Sequence, residues 1–216
     1  MIKKRIKEIR DSINKDVELV AVSKTKSTKE ILEAYNAGQK VFGENKIQEM
    51  TEKYEELPKD IKWHMVGHVQ SNKIKYMAPY VDLVHGIDSL KSLKILNKEA
   101  KKNNRVIRCL LQLKISDEFT KFGLSKEEIE SILNSINILD LMNINVAGIM
   151  TIGSFTENMN VVVKEFDKTK KIFDSLKTAF PNLKILSMGM SNDYKIAINH
   201  GSNMIRVGSL IFGKRI

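Results

Sequence analysis

The sequence predicts a closed α/β barrel of eight parallel strands, TIM-like, with one extra helix ahead of the first strand. Three observations predict it. Short apolar runs alternate strictly with amphipathic segments, which implies parallel strands joined by crossover helices. The runs number eight, the count at which a parallel sheet closes on itself. Seven of the eight run ends combine small with polar residues, as a ligand-bearing rim requires.

The elements follow in order. An amphipathic helix near residues 2–14 precedes the first β-like run, 17–24. Ser27 and Glu30 have capping-box spacing at the start of a helix over 28–37, and Gly38 stands where a C-cap belongs. Runs at 40–45, 61–67 and 83–87 alternate with helical patterns near 46–56, 70–77 and 89–102. After the run 106–113, Ser125 and Glu128 repeat the capping-box spacing ahead of a helix over 126–139. The run 145–152 leads to a helix over 159–179, and the run 184–189 to one over 192–200, stopped at Gly201. The last run, 204–212, is expected to be the eighth strand with no helix after it. No linker rich in proline, glycine or serine interrupts the chain, so residues 1–216 are expected to form a single domain.

Composition narrows the class. Hydrophobic content of 42% with 29% charged residues describes a soluble globular protein with material for a sizeable core. No apolar stretch reaches the length of a membrane span, and the amino terminus Met1-Ile2-Lys3-Lys4-Arg5-Ile6 lacks a signal-peptide core. Cys109 is the only cysteine and lies in an apolar run, which reads as a buried reduced thiol in a cytoplasmic protein. The net charge of +10 raises the question of nucleic acid. Lysines interleaved with glutamates on helix faces, scarce arginine and no aromatics among the basic residues answer it: a solvated lysine-rich surface, with no nucleic-acid or membrane partner expected.

Lys24 closes the run Val17-Glu18-Leu19-Val20-Ala21-Val22-Ser23-Lys24-Thr25. A lysine at the carboxyl end of a buried parallel strand stands at the mouth of the barrel, where ligands bind. Partial desolvation favours the neutral amine, which can form a Schiff base with an aldehyde such as pyridoxal 5′-phosphate (PLP). A strand-end lysine can also simply snorkel into water. The other end of the chain favours the first reading. Ser191 precedes a helical segment and fits an N-cap, a place suited to phosphate. Gly208 and Ser209 follow the eighth strand, where glycine lets backbone approach an anion, and barrels often bind phosphate after strands seven and eight. Strand alternation puts Arg206 on the interior face with Gly208, while Ile205 and Val207 face the helices. An interior arginine needs a partner. A heteroaromatic ring nitrogen is one candidate, and Glu44 is the structural alternative. His64 and His68 flank Met65-Val66-Gly67 on the rim side, and two histidines without a third ligand give no metal site.

These residues fall into blocks that resemble the YggS/PROSC family of pyridoxal phosphate homeostasis proteins, whose fold is similar to the alanine racemase N-terminal barrel, PLP fold type III. The blocks are Val20–Thr25, Phe42–Glu49, Trp63–Lys73, Lys121-Phe122-Gly123, Gly148–Gly153, Leu186–Tyr194 and Ile205–Gly213, in order over essentially the whole chain. The resemblance implies PLP as cofactor, with Lys24 as its aldimine lysine and Arg206 beside the pyridine nitrogen. It further implies Ser191 with Gly208 and Ser209 around the phosphate, and Asn45 at the rim. The segment Ser116-Asp117-Glu118-Phe119-Thr120-Lys121 departs from the serine- and glycine-rich form of the family, which affects the shape of one rim loop.

The resemblance implies a protein of PLP homeostasis that stores, buffers or delivers the cofactor, with PLP-dependent apoenzymes as recipients, acting as a monomer. Little or no turnover is expected. Racemisation needs two groups on opposite faces of the substrate, and the chain ends four residues after Phe212, leaving no room for the second domain of alanine racemases. Arginine at the ring nitrogen also weakens the cofactor as an electron sink. The alternative is a small PLP-dependent racemase-like enzyme.

Overall fold

Each apolar run becomes a parallel strand because both of its faces meet a hydrophobic layer, the barrel interior on one side and the helices on the other. The structure, a computed structural model, describes residues 1–115 and 123–213. Helix α1 (Ile2–Asp11) comes first. The strands are β1 (Glu18–Val22), β2 (Val41–Glu44), β3 (Lys62–Met65), β4 (Leu83–Ile87), β5 (Ile107–Leu113), β6 (Ile144–Thr151), β7 (Ile185–Ser187) and β8 (Met204–Val207). Between them lie α2 (Thr28–Asn36), α3 (Ile47–Glu56), α4 (Ile74–Met77, entered by a 3₁₀ turn at Ser71–Lys73), α5 (Leu90–Lys102), α6 (Lys126–Ile138), α7 (Met159–Ala179) and α8 (Tyr194–Asn199). Both capping boxes form: Ser27 with Glu30 opens α2, and Ser125 with Glu128 opens α6.

Every strand pairs with its sequence neighbour, and β8 pairs in parallel with β1, so the barrel closes. The closing register sets Val20 opposite Arg206 and Ala21 opposite Val207. Alternation along the strands divides the core in two. Val20, Val41, Val66, Leu83, Leu110, Ala147, Met150 and Met204 pack together inside the barrel. Leu19, Ala21, Phe42, Trp63, Met65, Ile205 and Val207 join the larger cluster under the helices. Cys109 belongs to that outer layer as a fully buried free thiol, and burial pushes its pKa up to about 12. Among the described residues, no helix is long and apolar enough to cross a membrane.

Two expectations need correction. The run 204–212 is not one strand: β8 stops at Val207, and Ser209–Phe212 form a short helix, α9. The backbone turns because the Ile211 and Phe212 N–H groups both donate to the Gly208 carbonyl, each at 2.9 Å. The helix expected from residue 192 begins only at Tyr194, with Asp193 at its N-cap position, so Ser191 lies in the turn before it and is not its cap. The departing segment Ser116–Lys121 and the block residues Lys121 and Phe122 lie outside the described residues.

Closure also depends on Gly148. A Cβ built there would stand 1.9 Å from the Ile185 carbonyl oxygen, backbone that cannot give way without parting β6 from β7. Gly148→Ala is therefore expected to lower unfolding free energy by about 3 kcal/mol, at the upper end for overpacking, read as a lower urea midpoint.

Candidate functional site

The carboxyl ends of the strands open into a cavity of about 490 Å³. Its lining gathers Lys24 after β1, Asn45 after β2, Ser191 after β7, Arg206 on β8, and Gly208 and Ser209 at the start of α9. Six residues scattered over nearly the whole chain thus share one chamber. The loop after β6 adds part of the wall through Ile152, Ser154 and Phe155, the last standing 95% exposed at the mouth.

Lys24 is half-buried and sits on a loop with an unusual backbone. Thr25, its neighbour, has φ of 64°, a left-handed conformation that is uncommon for a β-branched residue. The loop is held in place from below. The Thr25 N–H donates to Glu49 Oε1 at 2.5 Å, and the buried Ser23 hydroxyl donates to Glu44 Oε1 at 2.6 Å. Lys53 of α3 ties these together. Its ammonium donates to Glu44 at 2.8 Å, to Glu49 at 2.7 Å and to the Ser23 carbonyl at 2.8 Å. Glu44 is fully buried, and its second oxygen, Oε2, has no protein partner among the described residues. Burial pushes the Glu44 carboxyl above its ordinary range, against the pull of Lys53.

Glu44 is thereby removed as a partner for Arg206. It faces α3, on the outer side of the sheet, whereas Arg206 points inward as strand alternation predicts. Arg206 is 5% exposed; its guanidinium donates to Ser187 Oγ at 2.7 Å and to the Thr151 carbonyl at 2.8 Å. Burial pushes the Arg206 pKa down to about 10, and the nearby Asp193 charge opposes that, so the group remains a cation at neutral pH. Two of its five N–H bonds are committed to protein acceptors among the described residues. The others leave donors beside the cavity that Arg206 lines.

Ser191 and Gly208 meet directly. The Gly208 N–H donates to Ser191 Oγ at 3.3 Å, joining the β7 and β8 turns into one concave edge. A Cβ on Gly208 would stand 3.1 Å from the Val22 carbonyl, so glycine lets this edge lie close against the end of β1. Asp193 shapes the turn, accepting the Met190 N–H at 2.5 Å. His64 and His68 are not on the cavity wall. His64 is buried inside the barrel, and His68 pairs with Asp88 at 3.1 Å outside the cavity.

Comparison with known proteins places this geometry. Residues 1–215 match the family of alanine racemase N-terminal domains. A pyridoxal phosphate homeostasis protein of Aquifex aeolicus is 39% identical over 199 residues, 91% of this chain and 86% of that one. The chain belongs to the pyridoxal phosphate homeostasis protein family. An Escherichia coli family member is 36% identical over 207 residues, 93% of this chain and 86% of that one. PipY of Synechococcus elongatus, solved with PLP bound, superposes with a TM-score of 0.91 at 32% identity, covering 99% of this chain and 100% of that one. An alanine racemase of Clostridium difficile shares the fold, with a TM-score of 0.81 at 16% identity over 99% of this chain and 60% of that one.

For a member of this family, the buried residues behind the cavity are the addition that the sequence did not single out. Lys53 sits in an ordinary amphipathic helix, and its only sequence signal is a lysine where the apolar face of α3 should continue after Met50. Removing its charge strands the Glu44 carboxylate. Lys53→Met is expected to cost about 3–5 kcal/mol in a denaturant melt, the scale for breaking a buried pair. Lys40→Met, which breaks an exposed pair with Asp60, should stay within about 1 kcal/mol.

Proposed function

We propose that this protein binds PLP in the barrel-mouth cavity and stores, buffers or delivers it in the cytoplasm, as one PLP-binding domain over residues 1–216 with little or no turnover. The observation that carries the reading is the convergence on one cavity of an amine, a buried guanidinium with donors to spare, and a serine–glycine edge. Membership of the homeostasis family and the PLP-bound state of PipY support it.

PLP, when bound, supplies an aldehyde carbon open to amine attack, an aromatic ring nitrogen and a phosphate. The residues present fit each part. Lys24 would hold the aldehyde side, its amine being the group that can condense with an aldehyde. Arg206 would present its remaining N–H donors to the ring nitrogen, an acceptor beyond the Ser187 hydroxyl and Thr151 carbonyl that it already meets. The Ser191 hydroxyl and the backbone about Gly208 and Ser209 receive the phosphate. The N–H groups of Ser209 and Leu210 make no hydrogen bond within the described residues. Asn45 lines the cavity and would meet the cofactor at the rim.

Arg206 also sets what the site does little of. A guanidinium that stays charged beside the ring nitrogen opposes protonation there, and an unprotonated ring withdraws electrons weakly. Retention and release then dominate over turnover. The open mouth leaves Lys24 within reach of an entering amine, and we infer that PLP-dependent apoenzymes are the recipients of a monomeric carrier.

Borohydride reduction of the PLP-loaded protein, followed by peptide mapping, is expected to find the pyridoxyl group on the peptide carrying Lys24. An adduct confined to other lysines, or none, overturns the assignment. Ser191→Ala is expected to weaken PLP binding by roughly ten- to a hundredfold, the loss of one charge-assisted hydrogen bond of about 1.5–3 kcal/mol. Pyridoxal, which lacks the phosphate, should lose far less; equal losses for the two ligands in a fluorescence titration would put the phosphate elsewhere.

A further inference from the structure

Behind Arg206 a continuous line of polar groups crosses the barrel interior, and nothing in the cofactor-binding reading uses it. Ser187, which accepts from Arg206, lies 3.3 Å from His85 Nδ1. His85 Nε2 lies 3.1 Å from His64 Nδ1, and His64 Nε2 lies 3.2 Å from Asp82 Oδ2. Arg108 closes the far end, donating to the same Asp82 oxygen at 2.5 Å. Both imidazoles are fully buried, on strands β3 and β4, in an interior whose apolar filling is valine, leucine, methionine and alanine. Asp82 immediately precedes β4, at the end of the barrel opposite the cavity.

The two ends of this line fix its direction. A guanidinium can only donate, and a carboxylate can only accept. Burial works to raise the Asp82 pKa, but hydrogen bonding from His64 and the Arg108 charge outweigh it and hold the group at about 2. Asp82 is therefore an anion across the neutral range. Burial first, and then the neighbouring His64, Arg206 and Arg108 side chains, push His85 well below its ordinary range, so its ring is neutral. The direction that joins a donor end to an acceptor end runs from Arg206 to Ser187, then through His85 and His64 to Asp82. Hydrogen bonds aligned head to tail polarise one another in a medium of low dielectric. The negative end of the line thus acts on the guanidinium from the far side of the barrel.

We propose that His85, His64 and Asp82 are positioning residues of the cofactor site, a one-way hydrogen-bond chain that fixes how Arg206 presents its free N–H donors to the PLP ring nitrogen. This rests on the reading that the ring nitrogen meets Arg206. Purely apolar packing would have filled the interior at lower cost, since every buried polar group must first be desolvated. The chain fixes one rotamer of Ser187, and Ser187 in turn holds one arm of Arg206. Thr151 holds the other arm through its backbone and takes no part in the relay.

The test uses PLP labelled with ¹⁵N in the ring, bound to the full-length protein, and reads the nitrogen resonance alongside PLP affinity and melting temperature. His85→Leu keeps an apolar group in place and removes both links. It is expected to displace the resonance and to weaken PLP binding by about three- to tenfold, the scale of one neutral hydrogen bond. His85→Gln, whose amide can accept from Ser187 and donate to His64, should return both readouts toward the unaltered protein. Asp82→Asn, half-buried and at the opposite end of the barrel, should still displace the resonance with little loss of affinity. It carries the test if His85→Leu does not fold. A resonance unchanged in all three variants, whatever happens to the melting temperature, reduces the line to a structural role and overturns the proposal. If the unaltered protein retains no PLP, or its resonance shows no hydrogen-bond donor at the ring nitrogen, the function reading itself fails, and this proposal with it.

Discussion

A guanidinium buried in a closed barrel is the constraint on which the rest of the site depends. Arg206 is only 5% exposed, and burial works against its charge. Every neighbour must therefore offer it an acceptor or an opposite charge. Ser187 and the Thr151 carbonyl offer the first, and Asp193 the second. Thr151 ends β6 and Ser187 ends β7, with Asp193 in the turn after it, so the arginine on β8 ties three strands together at the floor of the cavity. The same requirement leaves donors over on the cavity side, and a ligand with an acceptor of the right shape completes the set.

The Lys24 side obeys a matching rule with the sheet turned outward. Glu44 cannot serve the cavity because its strand position faces α3. There it meets Lys53, and through Ser23 and Glu49 the pair grips the loop on both sides of Lys24. One ionic cluster thus stands inside the barrel, behind the guanidinium, and another outside it, behind the amine. The outer pair, Lys53 with Glu44, is buried, so salt loosens it little. The two reactive ends are set by scaffolding that ligand-contacting residues alone would not reveal.

Much of this was legible in the sequence because it depends on local pattern. The alternation of runs and amphipathic segments marks the strands and helices, and the two capping boxes fix helix starts to the residue. Parity along β8 is enough to turn Arg206 inward and Ile205 outward. What misled was apolar continuity: Leu210, Ile211 and Phe212 prolong the eighth strand on paper, yet the chain turns at Gly208 into a helix. Ser191 looked like a cap because a serine precedes a helical pattern, whereas it belongs to the turn that receives the Gly208 N–H. The interior line was hidden for a deeper reason. His85 sits in the unremarkable run Leu83-Val84-His85-Gly86-Ile87, and its partners, Ser187 and His64, are separated from it by 102 and 21 residues. Nothing in a local window links residues that meet only once the sheet has curled.

The closing seam between β1 and β8 has a consequence for how the protein is made. Lys24 leaves the ribosome long before Arg206, yet the register of these two strands brings their ends to one cavity. A nascent chain holding β1 through β7 has its lysine but neither the guanidinium nor the turn that completes the opposite wall. Contacts so distant in sequence form late, after the loop between them has closed. Capture of a reactive aldehyde is thereby deferred until β8 and the turn after it have been made, and a polypeptide that lacks them holds no assembled trap for the cofactor.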